Sequence, residues 1–299
     1  MKNKIAKIFS SFALAAVLTC TGMAAQAAEV VDTEYADTLS IESCAANIKN
    51  IYKVNYPDQT EMIDEIVDTL SADSEFIRIS ESEGAAAFQI VEDSLRDALE
   101  SPIATYSSRA ANYKLPSYTI DQYYSTHCGP ASALQALVSN GKISEPSDPT
   151  NAVFTAGKEM KTDGTGTFVY RITNYMNKYQ GSDPYTYKSK AFTRFSYDRA
   201  LDFVIYSLSK GRAPVMKVYD TRLMSYYNGN EYSHYVTIIG VNTSEGTITV
   251  VDPHFKKDYR GEHSIPISEF YDIIRGDSST TDGWLSVYTD VAEGEYVYD

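Results

Sequence analysis

In the second half of this chain the spacing of the apolar residues changes near Pro214, and that change restricts the fold more than any other feature of the sequence. Upstream, Leu134, Leu137 and Val138, then Phe168, Ile172, Tyr175 and Met176, then Leu201, Val204, Ile205 and Leu208 recur at helical spacing. Gly141, Gly181 and Gly211 follow these runs and stop them, because glycine readily takes the left-handed conformation beyond a helix end. Downstream, Pro214 to Tyr219, His234 to Val241 and Thr247 to Asp252 read as strands, the last two joined across the turn Asn242-Thr-Ser-Glu-Gly. Helices followed by antiparallel strands define an α+β class. The expected architecture packs helices around residues 128, 168 and 200 on a sheet built near 215, 235, 248 and 285, with a cleft between them. Trp284, Leu285 and Val287 are expected to close the sheet.

The chain ahead of this region has two parts. Lys2, Lys4 and Lys7, the uncharged run Ile8 to Ala25 and the end Ala25-Gln-Ala match a secretory signal over residues 1–27, cleaved after Ala27. No later stretch is long and apolar enough to span a bilayer, so the mature chain is expected to be soluble, secreted and free of the membrane. Residues 28–101 carry 18 acidic against four basic side chains, a net of −14, whereas 102–299 carry 22 against 19. The acidity sits in one segment, and its sign argues against nucleic acid or an anionic membrane surface as a partner. Met62, Ile63, Ile66, Val67 and Leu70 form one apolar stripe and Phe88, Val91, Leu95 and Leu99 another, while Phe76-Ile-Arg-Ile-Ser alternates like a short strand. The segment reads as two or three amphipathic helices with acidic outer faces. It is either a propeptide covering a cleft, and so an intramolecular inhibitor, or a permanent helical subdomain. Residues 101–112 form a linker, and 102–299 the second domain.

Cysteine usage narrows the chemistry. Cys20 leaves with the signal, and a mature chain with only Cys44 and Cys128 is no disulfide scaffold. Ile41, Cys44, Ile48 and Ile51 share a helix face, which makes Cys44 a core residue. Cys128 differs. Pro130 suits the first helical position, so Cys128 falls at a helix N-terminus, where free N–H groups and the helix dipole stabilise a thiolate. Neither His and Cys at metal-ligand spacing nor a calcium loop occurs, so no metal or other cofactor is implied. The Gly-Thr-Gly-Thr run at 164–167 lacks the phosphate-loop pattern and reads as a capped turn.

Partners for Cys128 come from the hairpin. If Val241 faces Thr247, Val236 faces Asp252 and His234 lies diagonal to Asp252 on one sheet face, so the carboxylate can hold the ring in one tautomer. The same register sets His254 opposite His234, and spacing alone admits either as the base. His234 is preferred because it starts an apolar strand. His127 and His263 are read as surface or satisfied residues.

Gln122, six residues before Cys128-Gly-Pro-Ala, then His234-Tyr-Val in a strand, then Val-Val-Asp252-Pro, resembles the papain-like cysteine peptidases, most of all the bacterial branch of bacteriocin-leader (double-glycine) peptidases and their secreted relatives. The resemblance spans about residues 115–290 and implies a papain-like fold. It makes Cys128 the nucleophile, His234 the general base and acid, and Asp252 its orienting partner. Gln122 and the Cys128 amide would hold the oxyanion. The substrate would be a peptide or protein. Double-glycine specificity is not carried over, since the leader-processing enzymes are fused to membrane exporters and work in the cytoplasm. An acyltransferase or crosslinking enzyme with the same nucleophile, and a non-catalytic peptide-binding module, are the alternatives.

Overall fold

The computed structural model describes residues 41–99, 110–182, 186–192, 197–229, 233–275 and 284–289. The expected signal at 1–27 and most of the linker lie outside these residues. The chain divides into two compact units, 1–99 and 100–299. Among the described residues, no helix is long and apolar enough to cross a membrane.

The first unit is helical: α1 (Ile41–Asn55), α2 (Thr60–Ala72), α3 (Ser74–Ser82) and α4 (Gly84–Leu99). Ile48, Ile63, Ile66, Val67, Leu70, Phe76, Ile79, Ile90, Val91 and Leu95 are buried in it. The strand expected at Phe76 to Ser80 is part of α3. Asp73 caps that helix by accepting from the Phe76 amide at 2.8 Å, and the buried residues Phe76 and Ile79 stand three apart, on one helix face. The outer faces are less uniformly acidic than expected, because Glu75, Glu92, Asp93 and Asp97 are buried. On α1, Ile48 is buried but Ile51 is 41% exposed, so the expected apolar face is only partly used. The side chain of Cys44 lies outside the described residues.

The second unit contains β1 (Asn112–Lys114), α5 (Cys128–Ser139), α6 (Pro149–Glu159), α7 (Val169–Asn177), β2 (Thr186–Ala191), α8 (Tyr197–Ser209), β3 (Val215–Val218), β4 (His234–Asn242), β5 (Thr247–Asp252), β6 (Gly261–Pro266), α9 (Ile267–Arg275) and β7 (Trp284–Thr289). The strands form one antiparallel sheet in the order β2-β7-β3-β4-β5-β6, and β1 pairs with the far end of β4. Trp284, Leu285 and Val287 are fully buried as expected. β7 does not close the sheet, however, because β2 pairs outside it. One core joins Leu201, Val204 and Ile205 of α8 and Phe270 and Ile273 of α9 to Met216, Val236, Ile238, Val250 and Leu285 of the sheet.

The hairpin register holds a correction and its compensation. At the turn, Val241 faces Ile248 instead of Thr247. A β-bulge between Ile238 and Gly240 absorbs one residue, so beyond it Thr237 faces Val251, the register expected at that end. Glycine at 240 lets two strands approach closely. A Cβ there would lie 3.1 Å from both the Tyr113 carbonyl of β1 and the Thr249 hydroxyl. Asn242 serves the turn, accepting from the Ser244 hydroxyl at 2.7 Å and the Glu245 amide at 3.2 Å.

Candidate active site

Cys128 is the first residue of α5, whose twelve residues are all buried. The helix is fixed to β4 by polar contacts in the core. The Ser132 hydroxyl donates to the Tyr235 carbonyl at 3.1 Å, and the Thr237 hydroxyl lies 2.9 Å from the Ser132 carbonyl and 3.1 Å from Gln135 Oε1. Gln135 Nε2 reaches the Ile120 carbonyl at 3.3 Å. These contacts advance together along helix and strand, so the start of α5 lies beside the start of β4. That brings Cys128 to His234.

We expect Thr237→Val, which keeps the shape but deletes the donor, to destabilise the protein by about 1–2 kcal/mol, because Gln135 Oε1 is left buried without it. Denaturant unfolding measures this, and an unchanged midpoint would show that the contact adds nothing.

His234 is buried, with Nε2 2.8 Å from Asp252 Oδ1. Cys128 is a further neighbour that acts on this ring and raises its proton affinity. With Nε2 engaged by the carboxylate, Nδ1 is the ring nitrogen left for sulfur. Burial alone would lower the proton affinity of His234, but the charge and hydrogen bond of Asp252, helped by Cys128, push its pKa up to about 10. Asp252 is fully buried, which by itself would raise its pKa. The charge and hydrogen bond of His234, the Tyr227 hydroxyl and the His254 amide outweigh burial and hold the carboxyl below its ordinary range. Oδ1 also accepts from the His254 amide at 2.7 Å, and Oδ2 from the hydroxyls of Tyr226 at 2.9 Å and Tyr227 at 2.8 Å.

Of the two histidines that spacing left open, His234 meets the Asp252 carboxylate through its ring and His254 through its backbone amide. The His254 ring accepts at Nδ1 from the Lys256 amide at 3.0 Å and stacks on the exposed Phe255, centroids 4.5 Å apart. Burial, and after it the charge of His234, push its pKa down to about 4. It is a neutral neighbour whose backbone serves Asp252.

Gln122 is held beside the end of β5 by its amide, which donates to the Pro253 carbonyl at 2.8 Å. Its side-chain Nε2 donates to the Tyr124 carbonyl at 2.9 Å, and its buried Oε1 has no hydrogen-bond partner among the described residues. Tyr123, next to it, has a φ of 54°, the left-handed conformation that lets the chain turn towards Cys128. The Gly164 to Thr167 segment is a turn: Asp163 accepts from the Thr165 amide at 2.8 Å, and the Thr167 carbonyl takes the Tyr235 hydroxyl at 2.7 Å. His127 is half-buried with Nδ1 3.2 Å from the Thr126 hydroxyl, and His263 Nε2 lies 2.7 Å from the Tyr259 carbonyl, so both have partners. Among the described residues, no group of acidic, His or Cys side chains forms a metal site.

Tyr226 and Tyr227 were not singled out from the sequence. They lie in the short 3-10 turn Ser225–Tyr227, and among 25 tyrosines no spacing marks the two that reach the carboxylate.

The fold is papain-like α+β, of the cysteine-peptidase type. The chain belongs to the Peptidase_C39 like family, whose model matches residues 105–278, which places it with the bacteriocin-leader peptidases and their relatives. A similar solved structure is a double glycine motif protease from an AMS/PCAT transporter in complex with the leader peptide. It is 16% identical, with 60% of this chain and 98% of that chain covered and a TM-score of 0.36. No curated protein matches this chain.

Proposed function

We propose that this chain is an exported cysteine peptidase that hydrolyses peptide bonds through Cys128, His234 and Asp252. The observation that carries the reading is the buried pair of His234 and Asp252, with 2.8 Å between imidazole and carboxylate, beside a buried Cys128 that acts on the same ring. In the proposed reaction the Cys128 sulfur, its proton passed to His234, attacks the carbonyl carbon of the scissile bond. The electron pair moves to oxygen, and the oxyanion is met by the Cys128 amide and by the Gln122 N–H not used on Tyr124. As the carbon–nitrogen bond breaks, His234 gives its proton to the leaving amine and a thioester remains on Cys128. Neutral His234 then takes a proton from water, whose oxygen displaces sulfur to release the acid. The high proton affinity of His234 suits it to hold the thiol's proton until the leaving amine takes it.

Product analysis tests this reading: an unstructured protein such as casein is incubated with the chain, with and without an added primary amine. New termini bearing free carboxylates are expected. Amine adducts in place of free acids would make the chain an acyltransferase, and intact casein beside a folded protein would leave a peptide-binding module. Residues 28–101 are proposed as an intramolecular inhibitor, so freeing 102–299 from them is expected to raise the hydrolysis rate. Equal rates in the two forms would make the acidic unit a permanent subdomain.

A further inference from the structure

We propose that Tyr226 and Tyr227 are positioning residues that together clamp Asp252 as a carboxylate and aim its other oxygen at His234. The proposal rests on the reading of Cys128, His234 and Asp252 as one reacting unit. Both hydroxyls converge on Oδ2, at 2.9 and 2.8 Å, while Oδ1 faces His234 Nε2 and the His254 amide. A carboxylate held at both oxygens cannot rotate about its last bond, so the direction of Oδ1 is fixed by the donors on Oδ2.

The rings that carry the hydroxyls are themselves immobilised. Tyr226 stacks face to face on the His263 ring of β6, centroids 3.8 Å apart and planes parallel. Tyr227 is fully buried and stacks on Tyr259, centroids 4.5 Å apart. The turn is anchored as well: the Ser225 amide donates to Glu269 Oε1 of α9 at 3.0 Å, and Asn228 leaves it in the left-handed conformation, φ 52°. Three elements outside the hairpin thus set the position of one oxygen.

The groups facing this carboxylate are His234 from β4, His254 from the segment after β5, and the two tyrosines; Glu269 acts on Tyr226, and Lys256 on His254. Burial, and after it the neighbouring Asp252 charge, hold the Tyr226 hydroxyl well above its ordinary range, so it remains a donor. Donors to the charged form favour that form. Deleting them leaves a buried carboxylate less stable as an anion, and it takes up a proton at higher pH. Once Asp252 is neutral, the support for protonated His234 and for its pairing with the Cys128 sulfur is gone.

The experiment is alkylation of Cys128 by iodoacetamide against pH, which needs no substrate, in wild type, Tyr226→Phe, Tyr227→Phe and the double variant. Phenylalanine keeps each ring and its stack and removes only the hydroxyl. The acid limb in the double variant is expected to move up by about one pH unit, a loss of up to about tenfold in relative rate on that limb, with the single variants between. Thermal unfolding shows which variants are folded, and the single variants carry the test if the double one does not fold. Profiles of the folded variants that superimpose on wild type would overturn the clamp while leaving the peptidase reading standing. A wild type that alkylates only like a free thiol would overturn both.

Discussion

Cys128→Ala is expected to remove hydrolysis, by about 10⁴-fold or more, and to leave the fold intact, since Cys128 is the one thiol among the described side chains. The second half of that expectation comes from packing. The start of α5 is held by Ser132, Gln135 and Thr237, none of which touches the reaction, and alanine at the first helical position adds no volume and removes no buried hydrogen-bonding amide. Turnover and thermal midpoint measured on one preparation check both halves. Residual hydrolysis near the wild-type rate would move the nucleophile elsewhere.

Asp252→Asn has the next largest expected effect, a fall in turnover of about 10²-fold or more, within the range general acid–base catalysis supplies. The sign of the accompanying pH change follows from the causes acting on His234. Burial lowers its proton affinity, and the Asp252 charge is what overcomes burial. Asparagine keeps an oxygen for the imidazole but removes the charge, so His234 loses its proton at lower pH. The alkaline limb of kcat against pH, placed by His234 at about 10 in wild type, should therefore shift downward. A variant with wild-type turnover and an unmoved limb would show that Asp252 is only a structural partner.

The parts legible in the sequence were those governed by spacing. Helical spacing marked α5, α7 and α8, and short apolar runs marked β3, β4 and β5, because each buries a wide apolar surface in the core. Elements with narrower faces went unread. α6 buries Val153, Ala156 and Gly157 and little else, although Asp148-Pro149 is a helix start, with Asp148 accepting from the Asn151 amide at 3.1 Å. β6 buries Ile265 alone and stays in place by pairing with β5. The stretch around Phe76 shows the opposite failure: Phe, Arg and Ser stand at alternate positions in a strand and on adjoining turns of a short helix, and the Asp73 cap decides between them.

At the site, the placement of Cys128 at a helix start and of His234 beside Asp252 was legible, because one helix start and one hairpin set it and a bulge returned the register to the expected one. The tyrosine clamp was not. Its residues enter from a turn whose position depends on α9 and β6, contacts that no local pattern encodes.

The most direct measurement is the pH dependence of Cys128 alkylation by iodoacetamide in wild type and His234→Ala, read by the mass of the Cys128 peptide so that the other cysteines do not contribute. If the line from Asp252 to Cys128 works as a unit, wild type reacts quickly at neutral and mildly acidic pH, where a free thiol of pKa about 8.5 is nearly inert, and His234→Ala loses that reactivity. Slow alkylation that rises only in the free-thiol range, the same in both proteins, would contradict the account.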